Sequence, residues 1–392
     1  MTFSAITPFL YHLRNNKDIN EGTEFEDQKK DISIILRQIC SKSENLNFLL
    51  GSGCSLPAIQ LMGNTFMELK RSEPLLNDVL GKYNADNRDI EGFLNHLNHG
   101  LNFLEPGSDH YKKIEEAFKT TKKFLLKSIK LDYYVKTDDQ PTTGDLNTIA
   151  TLDLYLRFYR SIFSFREFNK QVSPVNIFTT NYDLFSEVSL EMLGIHYTNG
   201  FKGFVSRTFD PSVFRFRLVD EENRYKEKWS AVRRFVKLFK IHGSIDWRFD
   251  EKDQAIKQSN NIDIDYANYS QEILIYPTLQ KHLESQQSPY SELFREFTNH
   301  MQRKNSTLIV IGYGFPDEHI NQLISQSLQH DDFNLIVFGN KNELNAKLFI
   351  EKHKEKSNFH FIGGNFNNLN DGHYFSNVIQ LLEDGINNAD SK

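Results

Sequence analysis

Four short stretches of this 392-residue chain place glycine, asparagine, histidine or aspartate directly after an apolar run. The first is LLGSGCSLP (49–57). Gly51 and Gly53 permit a tight turn and let backbone N–H groups approach a phosphate closely. Position 56 is Leu, so the third glycine of the dinucleotide fingerprint is missing. No acidic residue ends a second strand about 20 residues on, as a dehydrogenase requires. A plain strand-to-helix glycine turn reads the same way. The second stretch is VNIFTTNYD (175–183). Thr179, Thr180 and Asn181 can hydrogen-bond sugar hydroxyls without carrying charge, and Asp183 follows. An Asx-type turn closing the strand is the alternative. The third is LFKIHGSIDW (238–247), with His242 at a strand end before a glycine. Such a histidine can act as a general base near neutral pH, with Asp246 and Trp247 to orient or wall it. Most lone histidines are structural or merely exposed. The fourth is TLIVIGYGFPDEHINQL (307–323), where Gly312, Tyr313 and Gly314 follow a strand and Asp317 starts a helix as its N-cap. A further strand, NLIVFGN (334–340), leaves Gly339 and Asn340 at its end.

These loops need elements that bring strand ends together. Short apolar runs at 46–50, 175–180, 236–241, 272–277, 307–312, 334–339 and 358–363 read as strands. Helical patterns lie between most of them, as in 291–301 and 343–353, and a last helix falls near 374–382. Alternation of this kind predicts a doubly wound, mostly parallel, Rossmann-like α/β sheet, with ligands beyond the carboxyl ends of its strands. Ile32, Ile35, Leu36 and Ile39 mark an amphipathic helix, and 64–70 is a second with Asn64 as N-cap. Residues 86–170 are almost wholly helical in pattern and read as an insertion, with a loop at 136–145. Its lysines around 119–130 read as a solvated face. Residues 1–30 read as an N-terminal arm and 31–392 as the main domain.

Composition narrows what such a sheet can do. With 46 basic and 52 acidic side chains the formal charge is −6, which excludes a generally basic nucleic-acid coat. Cys40 and Cys54 are the only two cysteines, too few for a disulfide scaffold or a four-cysteine zinc site. No run of about 18 apolar residues suggests a membrane span. The N-terminal stretch lacks the charged start of a signal peptide, so a cytoplasmic protein is expected.

The ordered set of loops, Gly-x-Gly, Thr-Thr-Asn-x-Asp, His-Gly and Gly-x-Gly, resembles the sirtuin family and specifically its bacterial sirtuin-like, NAD-consuming branch. The family's glycine loop matches Gly51-Ser52-Gly53-Cys54-Ser55. Its asparagine motif matches Thr179-Thr180-Asn181-Tyr182-Asp183, and its catalytic histidine matches His242-Gly243. YPTLQKHLESQQSPYSELF (276–294) and NGFKGFVSRTFDP (199–211) also look like that branch. The resemblance spans about 45 to 345, interrupted by the helical insert. Deacetylating sirtuins carry a four-cysteine zinc module and an Asp-Phe-Arg element, and neither is visible here after Pro57.

The resemblance implies hydrolysis of NAD to nicotinamide and ADP-ribose, with NAD as substrate and no zinc. Asn181 would hold the nicotinamide ribose or the attacking water, and His242 would be the base. Gly51, Ser52, Gly53, Cys54, Ser55 and Pro57 would cradle the diphosphate, with Thr179, Thr180 and Asp183 beside them. Gly312, Tyr313, Gly314, Gly339 and Asn340 would line the adenosine half. An NAD or ADP-ribose sensor without turnover, or a protein deacylase, are the competing readings. Relatives of this kind are antiphage defence effectors, so a homo-oligomer and a separately encoded activator are expected. A HerA-like ring ATPase is the first candidate and a short Argonaute-type protein the second.

Overall fold

The computed structural model describes residues 7–81, 83, 90–134, 141–168, 170, 173–226, 228–250, 252–259, 272–274 and 288–387. Its frame is a nine-stranded sheet. The order is Lys17–Asp18, Phe9–Arg14, Phe359–Asn365, Asn334–Phe338, Ser306–Ile311, Asn45–Leu50, Val175–Thr179, Phe235–Lys240, His196–Thr198. From Phe359–Asn365 to His196–Thr198 every neighbouring pair is parallel. Phe9–Arg14 is antiparallel to both of its neighbours.

The apolar runs explain the layering. Side chains alternate across a strand, so Leu46, Phe48 and Leu50 face one core while Leu49 faces the other. Ile309 and Ile311 join the first core, Leu308 and Val310 the second. The first core is covered by helices Phe25–Lys42, Thr143–Phe168 and Phe375–Asn387. The second is covered by Tyr290–Met301, Glu318–Ser327 and Leu344–His353. Helices on both faces of a parallel sheet make the doubly wound architecture read from the sequence. Strand Asn45–Leu50 lies between the two halves: the chain builds outward on one side, then on the other. The crevice at this switch point is where such sheets bind ligands.

Four differences from the sequence reading matter. Within the stretch read as an N-terminal arm, the described residues from 7 onward form regular elements, and residues 1–6 lie outside the described residues. Phe9–Arg14 forms a strand with Leu10 and Tyr11 buried, and helix Phe25–Lys42 starts before residue 30. The polar composition of 15–30 masked a short strand whose Leu10, Tyr11 and His12 are all buried. The helical stretch 86–170 divides. Ile90–Phe103 and Asp109–Ile129 pack with Met62–Ser72 around Phe66, Phe93 and Leu97, whereas Thr143–Phe168 lies against the main sheet, with Phe158 edge-on to Phe48. A second sheet of five strands is built from Phe201–Lys202 and Arg207–Phe209 before His242 and from Gly243–Asp250, Ala255–Gln258 and Glu272–Leu274 after it, where short runs gave no clear period. Asn64 sits inside helix Met62–Ser72 rather than capping it, and Leu61 takes the N-cap position. The strand read at 272–277 is described only as Glu272–Leu274; residues 136–140 and 276–287 lie outside the described residues.

Candidate active site

The carboxyl ends of the central strands surround two cavities. The larger, about 690 Å³, is lined by Ser52, Gly53 and Pro57, by Gly312, Tyr313 and Gly314, and by Gly339 and Asn340. The smaller, about 220 Å³, is lined by Ser52, Ser55, Thr180, Asn181, Asp183, His242 and Asp317. Ser52, Leu61 and Pro316 line both, so the two share a wall.

That wall is built from two glycine loops in contact. Gly51 N donates to Ile311 O at 2.9 Å, and Gly53 N donates to Gly312 O at 2.9 Å. Cys54 N donates to Gly51 O at 3.0 Å. Three N–H groups assigned to a phosphate from sequence are therefore engaged by protein carbonyls. The glycines answer a demand for space: a Cβ on Gly51 would stand 2.4 Å from the Gly312 carbonyl oxygen. Cys54 is fully buried and its Sγ donates to Ile311 O at 3.3 Å. Burial pushes its thiol well above the usual range, so it is an inert packing group.

The smaller cavity gathers the polar groups. Asn181, 8% exposed, donates from Nδ2 to Gly51 O at 3.0 Å and to Ser55 Oγ at 2.9 Å. Both amide hydrogens are spent on protein, which leaves Oδ1 as the acceptor for a ligand. Ser55 Oγ in turn donates to Asp183 Oδ2 at 2.6 Å. Burial raises the Asp183 carboxyl, while the Lys240 ammonium, the Ser55 hydroxyl and the Phe185 N–H hold it down. Thr179 lies behind this group, with Oγ1 donating to Leu50 O at 2.9 Å and accepting from Asn181 N at 3.0 Å. His242 Nε2 lies 3.8 Å from Asp317 Oδ2. Asp317 holds the N-cap position of helix Glu318–Ser327, as expected, but makes no side-chain capping hydrogen bond there.

The far wall depends on the N-terminal strand. Tyr11 Oη donates to Gly339 O at 2.9 Å and accepts from Lys341 N at 3.0 Å, bracketing Asn340. Burial raises the Tyr11 hydroxyl to about 12, so it keeps the proton it donates. Tyr11→Phe removes both bonds and keeps the ring. Losing such a pair costs roughly 1–3 kcal/mol, so affinity for an adenosine-containing ligand should fall about tenfold. Isothermal titration with ADP-ribose measures this; unchanged affinity would show that Asn340 needs no bracket.

Of the residues that the resemblance placed on NAD, Gly51, Cys54 and Thr179 support the walls and the others line one cavity or the other, while Trp247, expected beside His242, lines neither. Asp246 is buried outside both linings and accepts from Gln258 Nε2 at 2.5 Å. Sequence reading missed Glu343, Asn370 and His373 in the larger cavity and Ile129 in the smaller. Asn370 and His373 lie in and just after an Asn-rich loop whose composition carried no chemical signal. Ile129 comes from a helix read only as an insertion. Among the described residues, no group of three or more His, Cys, Asp or Glu side chains is placed to hold a metal ion. Nor is any helix there long and apolar enough to cross a membrane.

Comparison with known families bears on this arrangement. Residues 175–362 match the model of the SIR2-like domain. The SIR2-like match starts at the strand before Asn181 and includes His242, both glycines of the 312–314 loop, and Asn340. It supports a sirtuin-like family for this chain and agrees with the large, mostly parallel sheet. SIR2-like domains use NAD, so the match supports NAD-related activity at that coarse level. No curated protein matches the chain.

Proposed function

We propose that this chain is an NAD glycohydrolase. The observation that carries the reading is the placement of Asn181 and His242 in one small cavity that shares a wall with a larger one. A dinucleotide suits such a pair of cavities: its adenosine and diphosphate take the larger and its nicotinamide ribose the smaller. The bond from C1′ to the pyridinium nitrogen breaks, and its electron pair neutralises the departing nicotinamide. Water adds to C1′ and gives up a proton. Asn181 Oδ1 accepts a hydrogen bond from the ribose or the water, and His242 takes the proton as base. Asp317 stabilises the imidazolium that results, and the carboxylates of Asp183 and Asp317 favour positive charge developing on the ribose.

The sirtuin-like resemblance also supports a biological setting. In it, the protein is a cytoplasmic homo-oligomer that depletes NAD during antiphage defence. A separately encoded partner releases its activity, with a HerA-like ATPase ahead of a short Argonaute-type protein.

Pure protein incubated with NAD, alone and with each partner, should release nicotinamide and ADP-ribose in equal amounts by chromatography. Stoichiometric NAD binding with no release under every condition would replace the enzyme by a binding module. Release of an acyl group from acyl-lysine peptides would point to a deacylase.

A further inference from the structure

Lys240 ends the strand Phe235–Lys240, two residues before His242, and is 1% exposed. Its register partner is Thr179, the last residue of the neighbouring strand, so its side chain reaches the turn that follows. There Nζ donates to the main-chain carbonyls of Tyr182, at 3.3 Å, and Asp183. It also lies 3.3 Å from Glu187 Oε1, in the helix that follows the turn. Burying an ammonium is expensive, and an apolar residue would fill the space without that cost. The expense is concentrated under the turn that carries Asn181 and Asp183.

We propose that Lys240 is a positioning residue for nicotinamide release: it fixes the 181–183 turn through two carbonyls, and its charge keeps Asp183 an acceptor for Ser55. The kinetic part rests on the hydrolysis reading above. Other groups face Asp183 from each packed element. Cys54 and Ser55 come from the glycine loop, and Tyr155 and Tyr159 from helix Thr143–Phe168. Tyr133, Glu187 and the cavity residue His242 add to them among the described residues. Burial holds the three tyrosines in their neutral form. Burial also raises Glu187 to about 7, against the pull of Lys240. Lys240 thus supplies the positive charge for two buried carboxyls.

The test uses Lys240→Met, Lys240→Arg and Glu187→Gln in the full chain. Nicotinamide release is followed against pH, and so is the thermal midpoint. Lys240→Met should lower kcat about 100-fold, as a misplaced group does, with KM for NAD within about threefold. Without the cation Asp183 holds its proton to higher pH, so the acid limb of the rate profile should rise by about one unit. Lys240→Arg should restore most of the rate. Glu187→Gln frees the ammonium for Asp183 and should move the limb down.

A merely structural lysine predicts losses with no movement of the limb, and that outcome overturns the proposal. If Lys240→Met does not fold, an unmoved limb in Glu187→Gln does the same.

The stability arm needs no turnover. Raised carboxyl pKa values mean that the folded state binds more protons than the unfolded chain, so stability falls as pH rises. From about pH 5 to pH 8 the midpoint of Lys240→Met, or of Lys240→Gln should the former not fold, should therefore fall more steeply than that of wild type. Parallel curves overturn the charge role. If wild type releases no nicotinamide, the hydrolysis reading fails and this arm alone decides.

Discussion

Nicotinamide release should fall about 10²–10⁴-fold when His242 becomes alanine, while affinity for NAD changes little. The reason lies in where His242 sits. It lines the smaller cavity, away from the larger one that holds most of the dinucleotide surface in the proposed mode. Removing it deletes a proton acceptor but few binding contacts. Asn181→Ala should lose a comparable factor for a different reason. Its Nδ2 ties the Gly51 carbonyl to Ser55, so the variant loses both the ligand acceptor and a brace of the turn. The double variant should be little worse than the worse single one, because groups that act on one step are not additive. Single-turnover release of nicotinamide, with binding measured separately by titration, checks all three. Variants as fast as wild type would sink the mechanism.

The second large effect is on the fold. Gly51→Ala and Gly312→Ala should each destabilise by about 3 kcal/mol, small though the added methyl is. A Cβ on Gly312 would stand 2.6 Å from Cys54 N, and the residue has φ +66, a region that alanine rarely adopts. Gly51 has an ordinary φ of −101, so its cost is purely one of space. In both cases the obstacle is main chain, which cannot swing aside as a flexible side chain can. Urea unfolding with a shifted midpoint and an unchanged slope is the expected signature. Alanine tolerated at both positions would mean that the loops can part without loss.

Much of this arrangement was legible in sequence because it follows local rules. The runs LNFLL, VNIFT, TLIVI and NLIVF are short, apolar and stopped by Gly, Thr or Asn, and they became neighbouring parallel strands. Asn181 and His242 stood out only through their order with the two Gly-x-Gly loops, because each alone reads equally as an Asx turn or a structural histidine. What could not be read was set by distant contacts. Ser55 looked like part of a phosphate cradle until the fold placed Asp183 2.6 Å away. Asp317 looked like a helix cap until the fold set it 3.8 Å from His242. Gly51 and Gly53 looked like phosphate ligands because close backbone packing and phosphate binding demand the same residue. Phe9–Arg14 was missed because 8 of the 16 residues that follow it, 15–30, are charged.

Tyr11 and the Gly339 carbonyl it holds are 328 positions apart. A ribosome adds roughly 5–20 residues per second, so Tyr11 waits on the order of 20–60 s for its partner to be made. Phe359–Asn365, against which its strand pairs, comes later still. A growing chain can close the glycine loop on the Asn181 turn only after residue 312, and its Asn340 bracket only after that. The wall that Tyr11 braces is thus completed only after strand Phe359–Asn365 has been made. On the hydrolysis reading, a nascent chain would be inactive toward NAD until that strand had been made and paired.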